Sequence, residues 1–205
     1  MLDHPVRTAA VRTKWSADPM APLLDDHAMA RAVLDAMEAA AMRERLGTPL
    51  RVELWRMVAT FFDDYFDGIH HPKEEELLLP LLGRAGFAGK GSPAMRMAQD
   101  HERMHPYRQH LQFAVTQRDP AALRTTVRAF TNLHRRHLLL EEAHVFPMAR
   151  AVLGSVAQLD LLAAFHALDL EGAALRRSHA RELVSAIHGL AIADDDDGGS
   201  DAGAD

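Results

Sequence analysis

The most informative stretch of this chain is HHPKEEELLLP, residues 70–80. A second copy of its pattern follows as HLLLEEAHVFP, residues 137–147. When the two copies are aligned on their final prolines, both read His-x-x-x-Glu, then an apolar stretch, then Pro. A single match would be a weak signal in a chain with 13 histidines. Two copies with the same offset to a proline are hard to obtain by accident, so we interpret them as one repeated functional element.

The repeat places paired side chains on two helices. Residues four apart share one face of a helix, so His70 and Glu74 point the same way, and so do His137 and Glu141. An imidazole and a carboxylate aimed at the same point can bind a metal ion together. The repeat therefore predicts a metal site between two helices, provided that the rest of the chain supplies further ligands.

The pattern around the repeat predicts an all-α protein. Ala and Leu are abundant and β-branched runs are scarce, which favours helices. Four long helices with short connections predict an antiparallel up-down-up-down four-helix bundle with an additional C-terminal helix. We expect a flexible N-terminal segment, the bundle, the additional helix packed on the bundle and a disordered acidic tail, at residues 1–18, 19–154, 155–190 and 191–205.

Proline and glycine mark the expected helix boundaries. The four bundle helices are predicted at about residues 19–45, 50–82, 93–117 and 120–154. Ser92 and Asp119 each precede a proline, which is typical of an N-cap followed by proline at the first helical position. Pro72 lies inside the second helix and is expected to kink it at the site.

The other two bundle helices each carry one histidine in the middle of an apolar stripe. These residues are His27 and His101. The chain thus repeats one pattern of helix pairs. In each pair, a helix with a single histidine is followed by a helix with His-x-x-x-Glu. Four imidazoles and two carboxylates at one level of the bundle would let the carboxylates bridge two cations, with imidazoles at each end. This ligand set suits iron, manganese or zinc better than calcium or magnesium.

These motifs resemble the hemerythrin-like family of di-iron helical bundles, also called HHE cation-binding domains. The resemblance covers about residues 20–153 and rests on the repeat together with LLDDH at 23–27 and DHE at 100–102. It implies a centre of two non-haem iron ions, although the ligand types do not exclude manganese or zinc. The implied metal ligands are His27, His70, Glu74, His101, His137 and Glu141. One iron would bind His27 and His70, and the other would bind His101 and His137. The two glutamates would bridge the two irons.

Comparison with the oxygen carriers of that family leaves two ligand assignments open in this chain. They add a histidine four residues after the one on the third helix, which here is His105. They also take the last carboxylate five residues after its histidine, which here is Glu142. We favour Glu141 because it repeats the offset of Glu74, and His105 stays open as a fifth imidazole.

Several other polar residues flank the repeat. Some are expected on a solvated face or in support of the ligands: His71, Glu75, Glu76 and Glu142. Asp63 and Asp67 come one or two turns before His70 and could orient an imidazole. Apart from Glu142, whose choice against Glu141 stays open, none of these is predicted to bind metal.

A centre of this kind predicts a protein that binds or senses O2 or related small molecules, including peroxide and nitric oxide. Two alternatives remain at this point. One is an oxygen-activating or peroxide-degrading enzyme, and the other is a metal-stabilised, iron-responsive interaction module. The sequence shows no nucleophile–base pair and no nucleotide-binding loop, so it does not support a hydrolase or a kinase.

Composition limits the classes of partner and the cellular compartment that we expect for this protein. The net charge of -6 and the lack of a basic cluster argue against nucleic acid. The absence of cysteine excludes disulfides, thiolate zinc sites and iron–sulfur clusters. No apolar run approaches the roughly 20 residues of a membrane span, and no signal peptide is visible. We expect a cytoplasmic protein that binds a small diatomic ligand or peroxide, with a second copy or a protein partner left open for the C-terminal helix.

Overall fold

The computed structural model describes residues 18–44, 50–169 and 174–192. In these ranges the chain forms helices and no strand, so the predicted all-α class is confirmed. None of the helices in the same ranges is both long and apolar enough to cross a bilayer. The predicted flexible N-terminal segment, except Asp18, and the tail from residue 193 onward lie outside the described residues.

The described residues form a succession of long helices. Their bounds are α1 Ala21–Arg43, α2 residues 52–84, α3 Pro93–Thr116, α4 residues 120–152, α5 Ser155–Leu168 and α6 Ala174–Ile192. The first four are the bundle helices, with α1 and α3 both packed against α4. After the bundle the described residues form α5 and α6, which lie on either side of residues 170–173, outside the described part of the chain. α5 packs on the second half of α2, and α6 packs on α1 and the first half of α2.

The predicted capping residues begin and end the helices. The Ser92 hydroxyl accepts a hydrogen bond from the backbone N–H of Met95 at 3.0 Å. The Asp119 carboxylate accepts from the backbone N–H groups two and three residues later, at 2.9 and 3.0 Å. After α2 the chain turns at Gly86, whose φ of 84° lies in the left-handed region that favours glycine. These local signals are why the helix boundaries were predictable.

α2 and α4 are wider than a regular α-helix around the repeat. The backbone is π-helical over Phe61–His70 and Lys73–Leu78 in α2, and over Glu141–Val145 in α4. Pro72 lies between the two π-helical stretches of α2 with helical angles of φ -57° and ψ -36°. The helix thus continues through a residue that lacks an N–H, at the position where the sequence predicted a kink. π-Helical turns are rare and often occur at functional sites.

The repeat lies between two apolar clusters at different levels of the bundle. One cluster includes Phe61 and Phe130, and the other includes Leu82 and Phe146. Each bundle helix contributes residues to both clusters and carries its histidine between them. The polar residues of the repeat therefore form one layer across the bundle, enclosed by apolar side chains above and below.

Candidate metal centre

The structure brings the six predicted ligands together in this layer. α1 and α3 each supply one histidine, and α2 and α4 each supply a histidine and a glutamate four residues later. At most 3% of the surface of any one of them is exposed: His27, His70, Glu74, His101, His137 and Glu141. Polar side chains are seldom buried so completely without a partner, so the layer needs a physical explanation.

The six residues form two overlapping groups. The first two histidines in chain order lie with Glu74 and Glu141 in one group, and the last two lie with the same glutamates in the other. Within each group, one potential ligand atom from every residue lies within 4.8 Å of all the others. Each group is thus close enough to surround one cation, and both glutamates belong to both groups.

Glu141 faces the two groups with different oxygen atoms. Its Oε2 lies 3.2 Å from Nε2 of His27, while its Oε1 lies 2.9 Å from Nε2 of His137. Oε2 of Glu74 takes a similar place, at 3.6 and 3.3 Å from the nearest Nε2 atom of each group. Both carboxylates therefore lie between the two imidazole pairs, where a bridging ligand would have to lie.

The atoms that face the centre lack hydrogen bonds. Within the described part of the chain, Nε2 of all four histidines and both oxygens of Glu74 and Glu141 have no hydrogen-bond partner. The short distances given above are thus contacts between potential ligand atoms. Buried polar atoms without partners cost free energy, and buried charges cost more. A pair of cations would satisfy all of these atoms together, so the residues present fit a metal centre.

Further carboxylates hold the outer nitrogens of the histidines on α1 and α3. Nδ1 of His27 donates to Glu142 Oε1 at 2.8 Å, and Nδ1 of His101 donates to Glu75 Oε1 at 2.6 Å. Donation from Nδ1 directs Nε2 at the centre, where it offers a lone pair to a cation once the imidazole is neutral, as in many histidine–metal sites. The two contacts are equivalent in the repeat, because each accepting glutamate directly follows one of the two shared glutamates. The sequence left Glu75 and Glu142 either on a solvated face or in support of the ligands, and the geometry favours support.

A buried charged network holds the outer nitrogen of His70. Its Nδ1 lies 3.4 Å from Asp26. The same carboxylate accepts hydrogen bonds from Tyr65 at 2.7 Å, Lys73 at 3.2 Å and Arg177 at 2.6 Å. Burial opposes the charge on Asp26, but His70, Lys73 and Arg177 hold its pKa far below the ordinary value. Because Arg177 belongs to α6, the network connects the C-terminal helices to the centre.

This buried histidine and glutamate cluster lies inside a helical bundle, and the family comparison agrees with both features. A model of the hemerythrin HHE cation-binding domain matches residues 18–149. The chain belongs to this family. Searches among curated proteins and among solved structures returned no match. The matched region ends within α4, so α5 and α6 follow the part of the chain that matches the hemerythrin domain.

The residues left open by the resemblance lie outside the hemerythrin-like cluster. The side chain of His105 is 52% exposed, and its Nδ1 faces the guanidinium of Arg108 at 2.6 Å. Glu142 lies at the edge of the site, where it also pairs with Arg31 at 2.7 Å. Glu141, in contrast, is fully buried within both groups. The geometry thus favours Glu141 over Glu142 and gives His105 no place in the cluster.

For His71 the sequence left a solvated or a supporting position open, and the structure buries it beside the cluster. Only 6% of its surface is exposed. It forms a third group of potential ligands with His101 and His137. The sequence contains no signal for this position, because the second copy of the repeat has Leu138 there. Asp67, which was considered as a residue that orients an imidazole, contacts that of His71 at 3.0 Å.

Without a cation, the centre holds protons. Burial opposes a charge on His27, but the carboxylates of Glu141 and Glu142 outweigh burial and raise its pKa to about 9. The same balance, with Glu141 and Glu74 as the main carboxylates, raises the pKa of His101 to about 11. Burial likewise opposes the charge on Glu141, yet the surrounding imidazoles hold its pKa well below the ordinary value. At pH 7 both histidines are therefore charged in the cation-free protein.

Metal loading at pH 7 should release at least about two protons per chain, because His27 and His101 must each lose one to offer Nε2 to a cation. Their folded-state pKa values exceed the ordinary 6.5. The two protons therefore stabilise the cation-free fold below about pH 6.5, and this contribution is lost as the pH rises through 9 and 11. Metal affinity should accordingly increase between pH 6 and 9.

Titration of Zn(II) into chelator-treated protein, in weak buffer with a pH indicator, measures the release. A Glu76→Ala variant is the control, because Glu76 is exposed on the same helix as Glu74 and should leave the number of protons unchanged. Tight binding of two zinc ions with no proton release at pH 7 would contradict the assigned protonation of His27 and His101.

Proposed function

We propose that this hemerythrin-like protein binds or senses O2, or related small molecules such as peroxide and nitric oxide, at a non-haem di-iron centre. The observation that carries the proposal is that two buried groups of imidazoles share Glu74 and Glu141. Shared carboxylates hold two cations close together and offset part of their mutual repulsion. The proposed ligands are His27, His70, Glu74, His101, His137 and Glu141.

The donor atoms support iron. Neutral imidazoles together with carboxylates suit iron, manganese and zinc, whereas calcium and magnesium prefer sites made of oxygen atoms. When bound, a pair of iron ions supplies redox-active positions at which a diatomic molecule or peroxide can bind. The supporting carboxylates of Asp26, Glu75 and Glu142 add negative charge one imidazole away from the centre, which raises the basicity of the ligands and favours cations there.

The surroundings support a small, weakly polar ligand. Phe66 stacks on His70 with ring centroids 4.2 Å apart, and Phe146 stacks on His27 at 5.4 Å. Both phenylalanines are fully buried and belong to the apolar clusters on either side of the layer. These rings exclude water from the imidazoles and hold them in place, so the chain provides an apolar enclosure around a charged centre.

Reconstitution with Fe(II) under anaerobic conditions tests the proposal. We expect about two iron ions per chain and an absorption spectrum that changes on exposure to O2 or nitric oxide and returns when the gas is removed. Total metal analysis of the protein as purified, for iron, manganese and zinc, identifies the native cation. A chain that binds two zinc ions but retains no iron would contradict a di-iron function.

Two other results would assign a different function. Rapid consumption of peroxide by the iron-loaded protein, with many turnovers per chain, would indicate a peroxide-degrading enzyme. Iron-dependent folding without any spectral response to O2, nitric oxide or peroxide would indicate a metal-stabilised interaction module. The hydrogen-bonded and ionic contacts of Arg177 with the buried network make α6 the element through which such a module would respond to metal.

A further inference from the structure

His71 shares two features with histidines of the proposed centre. Its Nδ1 lies 3.0 Å from Oδ1 of Asp67, so a carboxylate holds its outer nitrogen as Glu142 holds that of His27. Its Nε2 is buried and has no hydrogen-bond partner among the residues that the structure describes. A carboxylate on one nitrogen with an unpartnered second nitrogen is the usual arrangement of a histidine that binds metal.

His71 lies beside the half of the proposed centre that contains His101 and His137. A potential ligand atom of His71 lies within 4.8 Å of ligand atoms of both His101 and His137. Its ring stacks on that of His101 with centroids 3.8 Å apart and planes inclined by 22°. The ring of His137 is nearly perpendicular to it, with the centroids 6.2 Å apart. A cation between His101 and His137 would thus lie beside the free nitrogen of His71.

We infer that His71 is a fifth imidazole ligand, for the cation that His101 and His137 would hold. The inference rests on the proposed metal centre and adds a residue to it. It makes the two halves of the centre unequal, with three imidazoles on one side and two on the other. The repeat in the sequence is symmetrical at the other ligands, but Leu138 stands where a second such histidine would be needed.

His105 is a matched control on the neighbouring helix. Its Nδ1 lies 3.9 Å from the other oxygen of Asp67, so both histidines approach the same carboxylate. The side chain of His105 is 52% exposed, however, whereas that of His71 is 7% exposed. Substitution of either residue disturbs the surroundings of Asp67, but only His71 can reach the centre.

Proton NMR of the Co(II)-loaded protein tests the inference without any substitution. A histidine that binds a paramagnetic cation through Nε2 keeps its Nδ1 proton, which gives one strongly shifted, solvent-exchangeable signal. We expect five such signals from the wild type, one for each of His27, His70, His71, His101 and His137. His71→Gln should remove one signal and His105→Gln none. Four signals from a wild type that binds two Co(II) ions would overturn the inference.

Stepwise affinity gives a second readout. His71→Gln should weaken one of the two Co(II) sites by at least about tenfold and leave the other unchanged, whereas His105→Gln should weaken neither. Wild-type protein that binds fewer than two Co(II) ions would contradict the proposed centre itself. Wild-type protein that binds two, with a His71→Gln variant of equal affinity at both sites, would contradict only the role of His71. If His71→Gln does not fold, the signal count of the wild type decides.

Discussion

Glu74→Ala and Glu141→Ala should each reduce the bound metal from about two ions per chain to nearly none. Each glutamate belongs to both groups of potential ligands, so one substitution removes a ligand from both cations at once. The remaining carboxylate would then have to offset the repulsion between two cations alone. A histidine contributes to one half of the centre, so His27→Ala should affect mainly one of the two ions. Elemental analysis after gel filtration in metal-free buffer measures the ratio.

Glu76→Ala is the control for this prediction. Glu76 lies two residues after Glu74 on the same helix but is exposed, so its removal should leave the metal content unchanged. Circular dichroism of all three variants in the presence of a chelator separates loss of ligands from loss of fold. Equal metal content in Glu74→Ala, Glu141→Ala and Glu76→Ala proteins would rule out the assignment of the shared glutamates.

Asp26→Ala should lower the free energy of unfolding of the cation-free protein by about 3–5 kcal/mol, the usual effect of removing one partner from a buried ion pair. Lys73 is fully buried, and without Asp26 its other carboxylate partner is Asp169, at 3.0 Å. Arg177 and the Tyr65 hydroxyl lose the same acceptor. The substitution thus leaves the buried Lys73, the partly buried Arg177 and the buried Tyr65 hydroxyl incompletely paired.

Asp25→Ala provides the matched control, because Asp25 precedes Asp26 on α1 but is exposed. It should change the free energy of unfolding by less than about 0.5 kcal/mol. Urea denaturation with a chelator present measures both variants. The pKa of Asp26 lies below its ordinary 3.8, so its stabilising contribution is present above that pH and is lost only as the pH falls further. The difference between wild type and Asp26→Ala should therefore stay constant from pH 5 to 8, and equal effects of the two variants would refute the network.

The same network has a consequence for the centre. Asp26 lies 3.4 Å from Nδ1 of His70 and so orients this imidazole. Removal of a carboxylate behind a ligand histidine lowers metal affinity by roughly 10–100-fold in other proteins. Asp26→Ala should thus weaken metal binding as well as the fold. Arg177 is on α6 and Asp169 follows α5, so the helices beyond the matched hemerythrin domain contribute directly to the support of His70.

The bundle and the shared faces of its helices were predictable because they depend on local chemistry. Ser92 and Asp119 cap their own helices, and the glycine at 86 turns the chain after α2, so each boundary follows from a few neighbouring residues. The offset of four between His70 and Glu74 places both on one face of one helix. Each bundle helix has a histidine in the middle of its apolar stripe. This position indicated one level of the bundle at which all four helices present polar residues.

The local sequence pattern did not indicate that α2 contains π-helical turns. Proline at position 72 predicted a kink, and it did not indicate the π-helical turns that the structure has on both sides of it. Helical periodicity alone does not show where a turn widens, so the sequence pattern did not indicate these turns.

The spacing of residues along the chain was enough to show which side chains share a face: His70 with Glu74, and His137 with Glu141. Which side chains meet across helices became visible only in the folded bundle. It buried His71 and left His105 exposed, although both are histidines near Asp67. It also brought Arg177 from α6 to Asp26 on α1, a contact between residues 151 positions apart. The physical reason is that spacing along one helix sets direction within that helix, whereas contacts between helices depend on how each one is rotated and shifted when the apolar clusters pack.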